Sequence, residues 1–162
     1  MKNIFLAIVC IAATFVGNAQ TSDAEADAMI NLLGVQKKEA IAKMVKVSGK
    51  DSVTFWKIYD EYLEKNKEVA KDRIKLYEQT AYSYGNMTPG TADSLALRYF
   101  QNRKIQESSL EEYYNKLKSA INPVIAFEFY QAEVYLLTMV RASIMQKIPT
   151  YGEVQVAAKK KE

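Results

Sequence analysis

The sequence predicts an all-α protein built from long amphipathic helices, and three observations carry that prediction. From Ser52 to about Tyr82 there is neither Gly nor Pro, and apolar residues recur at steps of three, four and seven. A second such stretch runs from about Thr91 to Ile121, after the break Tyr84-Gly85-Asn86-Met87-Thr88-Pro89-Gly90. No run of alternating residues is long enough for a strand. Amphipathicity alone permits an extended helical hairpin or a small four-helix bundle.

The chain opens on a short positive region at Lys2 and an apolar run from Ile4 to Val16. Gly17-Asn18-Ala19 then supplies the small residues a signal peptidase reads before Gln20. The run falls short of the about 20 apolar residues a membrane span needs. Residues 1–19 are therefore expected to be a cleaved signal peptide. A lipid anchor at Cys10 fits less well, because Val9 precedes it where a small residue is wanted. Cleavage would remove the only cysteine, so the exported chain could form no internal disulfide. Its net charge would fall from +3 to +2 with the loss of Lys2, too near balance to indicate nucleic acid. About 140 residues remain, enough for one domain.

Residues 20–28 are polar and expected to be a flexible lead, and residues 29–149 the helical domain. Met29, Ile30, Leu32 and Leu33 begin an apolar stripe that resumes at Ile41, Met44 and Val45, and Gly34 is expected to break this first helix. The next helix carries two adjacent columns. One is Trp56, Tyr59, Leu63, Ala70, Ile74, Tyr77 and Ala81; the other is Phe55, Ile58, Tyr62, Val69 and Leu76. Unbroken, it would extend roughly 45 Å. Its charged residues, Lys57 to Lys75, read as a solvated face, with Glu61 and Lys65 spaced for an i, i+4 pair. The helix after the break places Leu95, Tyr99, Leu110, Tyr113, Leu117 and Ile121 on one side, around a polar middle from Gln101 to Ser109. Asn122-Pro123 ends it and starts a last helix to about Gln146. Residues 150–162 show no period and are expected to be disordered.

Three helix starts share one design. Ser48, Thr88 and Asn122 are N-cap residue types, Pro89 and Pro123 follow two of them, and Val47, Met87 and Ile121 precede them as hydrophobic staples. Val47-Ser48, Asp51, Phe55-Trp56 and Tyr59 stand at the spacing of the pattern Leu-Thr-x-x-Gln, four residues, Phe-Trp-x-x-Tyr. Met87-Thr88-Pro89-Gly90-Thr91 looks like a second copy, and Leu117 to Glu133 carries an apolar-Pro corner followed by Phe129, Tyr130, Gln131 and Glu133. Together they resemble the Spy/CpxP-like family of periplasmic proteins, named for its LTXXQ repeats, over about residues 45 to 149. Asp51 and Thr91 replace both repeat glutamines, so the repeats are degenerate. The resemblance implies a periplasmic location and a curved hairpin of long helices that often dimerises as a cradle.

Catalysis finds little to work with. The chain has no histidine, so none of its serines has an imidazole to activate it. Glu107 with Glu111, and Glu111 with Glu112, are paired carboxylates among other charges and read as solvated surface. No catalytic residue and no cofactor is expected. Some relatives within the family bind zinc or related metals through His; here His is absent and the methionines do not cluster, so no metal is expected either.

Between Pro123 and Gln146 the only charges are Glu128, Glu133 and Arg141, and apolar residues occupy nearly every side. One side can be buried in its own chain; the remainder is expected to form an interface, the alternative being a compact bundle that buries all of it. The candidate protein-binding residues are Phe127, Tyr135 and Leu137 on this helix, with Tyr113 and Tyr114 on the preceding one. Phe55, Trp56 and Tyr59 are expected to act as scaffold, locking onto Phe129 and Tyr130. Two functions follow from the resemblance: an ATP-independent chaperone holding unfolded envelope proteins, or a regulatory accessory with one defined envelope partner. A homodimer is compatible with either.

Overall fold

The computed structural model describes residues 23–146 and 148–159. The expected signal peptide, residues 20–22 of the lead and residues 160–162 of the tail lie outside them. The described residues form an all-α bundle: α1 (Asp23–Met44), α2 (Gly49–Lys65), α3 (Lys67–Ser83), a 3-10 turn (Tyr84–Asn86), α4 (Pro89–Ala120), α5 (Pro123–Met145) and α6 (Tyr151–Lys159). Helix α4 packs against α2, α3 and α5, and α1 closes the bundle against α3 and α5. Among the described residues no helix is long and apolar enough to cross a membrane.

Four boundaries differ from the sequence expectation. Helix α1 begins at Asp23, inside the predicted lead, and runs through Gly34 without interruption. The cost of one helical glycine, about 1 kcal/mol, is met by tertiary burial: Ala40, Ile41 and Val45 are in the core, and Lys71 reaches back to Asp27 at 2.9 Å. Ile30 and Leu33 are half-buried, whereas the side chains of Met29 and Leu32 lie outside the described residues.

The long helix expected from Ser52 to Tyr82 is divided at Asn66, whose φ of −92° and ψ of 0° are not helical. The Asn66 Nδ2 amide donates to the Tyr62 carbonyl and to Ser109 Oγ of α4, both at 2.8 Å. A side-chain amide thus competes for a helical acceptor, the tendency that keeps Asn out of helix interiors. Glu61 and Lys65 do not pair along α2. Each reaches α4 instead, Glu61 to Lys116 and Lys65 to Glu112, the latter at 2.6 Å.

Residues 151–159, expected to be disordered, form α6. Thr150 and Glu153 make a reciprocal capping box: Thr150 N and Oγ1 donate to Glu153 Oε2 at 2.7 and 2.8 Å, and Glu153 N donates to Thr150 Oγ1 at 3.3 Å. These bonds hold the Glu153 carboxyl below its ordinary pKa, the backbone bond first.

Of the three predicted caps, two form. Thr88 Oγ1 accepts from Thr91 N at 3.1 Å, and Asn122 Oδ1 accepts from Val124 N and Ile125 N at 2.9 and 3.0 Å. Ser48 occupies the cap position without a side-chain cap bond. The chain enters α2 through Gly49 at φ +55°, a left-handed conformation that glycine adopts without a Cβ penalty.

Candidate functional site

Helix α5 is fixed by its start. The Asn122 cap and Pro123 at its first turn set its direction, and there is no further Pro or Gly before Met145. Its inner face is Ala126, Phe129, Ala132, Glu133 and Leu136, all buried. The two alanines allow close helix approach, and Phe129 fills the core, 6.2 Å from the Tyr59 ring and 5.3 Å from the Tyr62 ring. With one face so committed, the rest of an apolar helix must face solvent or partly packed edges.

That outer face is Pro123, Val124, Phe127, Tyr130, Gln131, Val134, Tyr135, Thr138 and Met145, all exposed and none charged. Val124 is 66% exposed, Phe127 51% and Tyr135 45%. The helix's three charges are elsewhere: Glu133 is fully buried, and Glu128 and Arg141 are half-buried. Glu128 accepts from the Lys46 backbone amide at 3.1 Å, which ties α5 to the segment after α1. Beside the outer face, Phe127 and Tyr130 overhang an open groove of about 460 Å³. Its α4 wall supplies Lys104, Glu107, Ser108, Glu111 and Tyr114. Tyr130 stacks on Phe127 and meets Tyr114 edge-on, each at 6.5 Å. An adaptable apolar strip with a charged margin results.

The predicted surface residues divide. Phe127 and Tyr135 are exposed, and Tyr114 and Leu137 are half-buried. Tyr113 is 5% exposed and belongs to the core. Its ring is capped by Lys65 and Lys116 at 5.7 and 5.5 Å and meets Tyr62 at 5.3 Å, so it is not part of an accessible surface. Of the residues expected to act as scaffold, Phe55, Tyr59 and Phe129 are all buried, with Phe55 and Tyr59 stacked at 6.0 Å. Trp56 is half-buried, its ring edge-on to Phe55 at 5.0 Å and beneath Lys38 at 5.5 Å. Tyr130 departs from the expectation: its ring faces outward to Phe127 and Tyr114 rather than inward to Tyr59. Glu107, Glu111 and Glu112 are exposed.

Two buried polar clusters had not been assigned from the sequence. Glu133 receives three hydrogen bonds, from Tyr59 Oη at 2.7 Å, Tyr62 Oη at 2.9 Å and Lys37 Nζ at 2.8 Å. Burial first, and the Glu133 charge second, push both phenols well above their ordinary pKa. In the polar middle of α4, Asn102, Gln106 and Ser109 are buried. Asn102 Oδ1 accepts from Arg73 Nε at 2.8 Å, while its Nδ2 donates to the Val69 carbonyl at 2.9 Å. A signal for this cluster was present: Asn102 and Gln106 continue at steps of seven and four the inward column begun by Leu95.

Comparison with family models, with curated proteins and with solved structures finds no significant match to this chain.

Proposed function

We propose that the protein is a periplasmic, ATP-independent chaperone-like binding protein of the Spy/CpxP type, exported after cleavage of residues 1–19. It holds non-native envelope proteins on the outer face of α5. One observation carries the reading: a helix of 23 residues presents an exposed face without a single charge, beside a groove walled by Lys104, Glu107 and Glu111. Such a strip offers apolar area to many sequences, and tyrosines tolerate water when no client is bound. The charged margin favours rapid encounter and solubility. The leader-like segment and the repeats quoted above support the same reading.

The test is suppression of aggregation of several unrelated unfolding proteins near equimolar ratio, without nucleotide. Protection is expected, unchanged by ATP or by chelators. Val124→Lys with Phe127→Lys is expected to remove most of it while circular dichroism remains helical. A homodimer through the same face would compete with clients, so subunit mass is measured alongside. Absence of protection for every client would overturn the general chaperone in favour of an accessory with one defined envelope partner.

A further inference from the structure

Where α3, the 3-10 turn, α4 and the end of α5 meet, they border an open-sided cavity of about 390 Å³, in which Phe100 and Met145 remain exposed. Three arginines line it, half-buried Arg73 from α3, exposed Arg103 from α4 and half-buried Arg141 from α5, and no acidic residue does. The remaining lining is largely aromatic and apolar, including Tyr77, Tyr99, Phe100 and Met145. Tyr77 and Tyr99 meet at 5.7 Å, and the Tyr99 hydroxyl lies 2.9 Å from Thr80 Oγ1.

Among the described residues, no carboxylate pairs directly with the arginines of this cavity. Arg73 is gripped by neutral acceptors only: Nε and Nη2 donate to Asn102 Oδ1 at 2.8 and 2.5 Å, and Nη1 donates to Gln106 Oε1. Among the described residues, neither Arg103 nor Arg141 forms an ion pair. Arg98, by contrast, pairs with Asp72 at 2.8 Å, the other oxygen of which accepts from Asn102 Nδ2 at 2.9 Å. Burial first, then the like charge of Arg141 and more weakly that of Arg103, draw the Arg73 guanidinium below its ordinary pKa against an opposing contribution from Tyr77. Glu107 opposes this at a distance but lines the neighbouring groove rather than the cavity. Bringing three like charges together is costly unless an anion joins them, and guanidinium forks match carboxylate and phosphate oxygens. The volume lies within the range of about 300–1,000 Å³ typical of small-molecule sites.

We propose that this cavity binds an amphiphilic organic anion, its carboxylate or phosphate head held by Arg73, Arg103 and Arg141 and its apolar body laid against Tyr77, Tyr99, Phe100 and Met145. The site is independent of the client-holding reading. Arg73 is fixed in place by Asn102 and Gln106, so it is the preformed element, and Arg103 and Arg141 complete the head site. The apolar lining discriminates against inorganic anions, which would leave it in contact with water.

Calorimetric titration of the purified protein with decanoate, decyl phosphate, decanol and inorganic phosphate, below micelle-forming concentrations, tests this. Both decyl anions are expected to bind one per chain, at least roughly tenfold tighter than decanol or inorganic phosphate. The tighter of the two identifies the head group. Arg103→Gln and Arg141→Gln should each weaken binding roughly tenfold, with helicity unchanged, whereas Arg98→Gln should leave it as it is. Val124→Lys with Phe127→Lys should also leave it unchanged, which separates this site from the α5 outer face. Equal binding of decanol and decanoate, or of inorganic phosphate and decyl phosphate, would overturn the proposal. So would unaltered binding in both Arg103→Gln and Arg141→Gln.

Discussion

A carboxylate removed wholly from water costs several kcal/mol unless its oxygens are well supplied with donors. Glu133 is supplied by two phenols of α2 and the Lys37 ammonium of α1, so one side chain of α5 ties three helices together. Its donors give this network a pH signature. Below an unfolded pKa near 10, folded and unfolded chains both keep the protons of Tyr59 and Tyr62, and stability from this source is fully present. As pH rises beyond that point the unfolded chain releases protons that the folded one retains. Unfolding then gains and stability falls, by about 1.4 kcal/mol per pH unit for each tyrosine. The loss continues until pH passes the raised native values. Urea unfolding between about pH 9 and 11 should show this decline. The double substitution Tyr59→Phe with Tyr62→Phe should remove most of the slope, even though it lowers stability at neutral pH. An equal slope in wild type and double variant would show that these phenols are not linked to folding.

At the level of single helices, what could be read in advance depended on whether the deciding interaction was local. Caps at Thr88 and Asn122 are local, and both were legible from residue type and spacing. The Asn66 break was not, because it needs Ser109 of α4, 43 residues away, to satisfy the competing amide. Helix α1 passes Gly34 for the same reason: burial of Ala40, Ile41 and Val45 overrides a propensity that the sequence displays plainly. Helix α6 has no apolar period to announce it, although its Thr150–Glu153 box is local. The caps give a test at this scale. Asn122→Ala removes two bonds to α5 amides and should cost about 1 kcal/mol, within the range of about 0.5–2 for such losses. Ser48→Ala removes no cap bond, so thermal unfolding should place it within about 0.5 kcal/mol of wild type. A Ser48→Ala cost matching that of Asn122→Ala would mean that the serine caps α2 in solution.

Across the whole molecule, the bundle keeps its scaffold and its candidate surface on opposite sides of one helix. That α5 is apolar on nearly every side was legible from composition, which left open whether a compact bundle buries all of it. Which residues remain outside was not, because a helix apolar on every side has no periodic signal to orient it. Its neighbours decide: Tyr59 and Tyr62 of α2 and Lys37 of α1 cover Phe129 and Glu133, and Val124, Phe127 and Tyr135 are left outside. Tyr113 illustrates the limit, since Lys65 from α2 and Lys116 one turn along α4 cap a ring that the sequence offers as surface. This division predicts that stability and the proposed client holding separate by substitution. Val124→Lys with Phe127→Lys changes groups already in water and should move the unfolding free energy by no more than about 0.5 kcal/mol per site. Glu133→Leu strands two buried phenols and the Lys37 ammonium, and should cost about 3–5 kcal/mol, the range for breaking a buried pair. Urea unfolding measures both. If the outer-face pair proved as destabilising as Glu133→Leu, α5 would be packed on both sides in solution. Light scattering would then have to show a dimer burying that face, and clients would have to bind elsewhere.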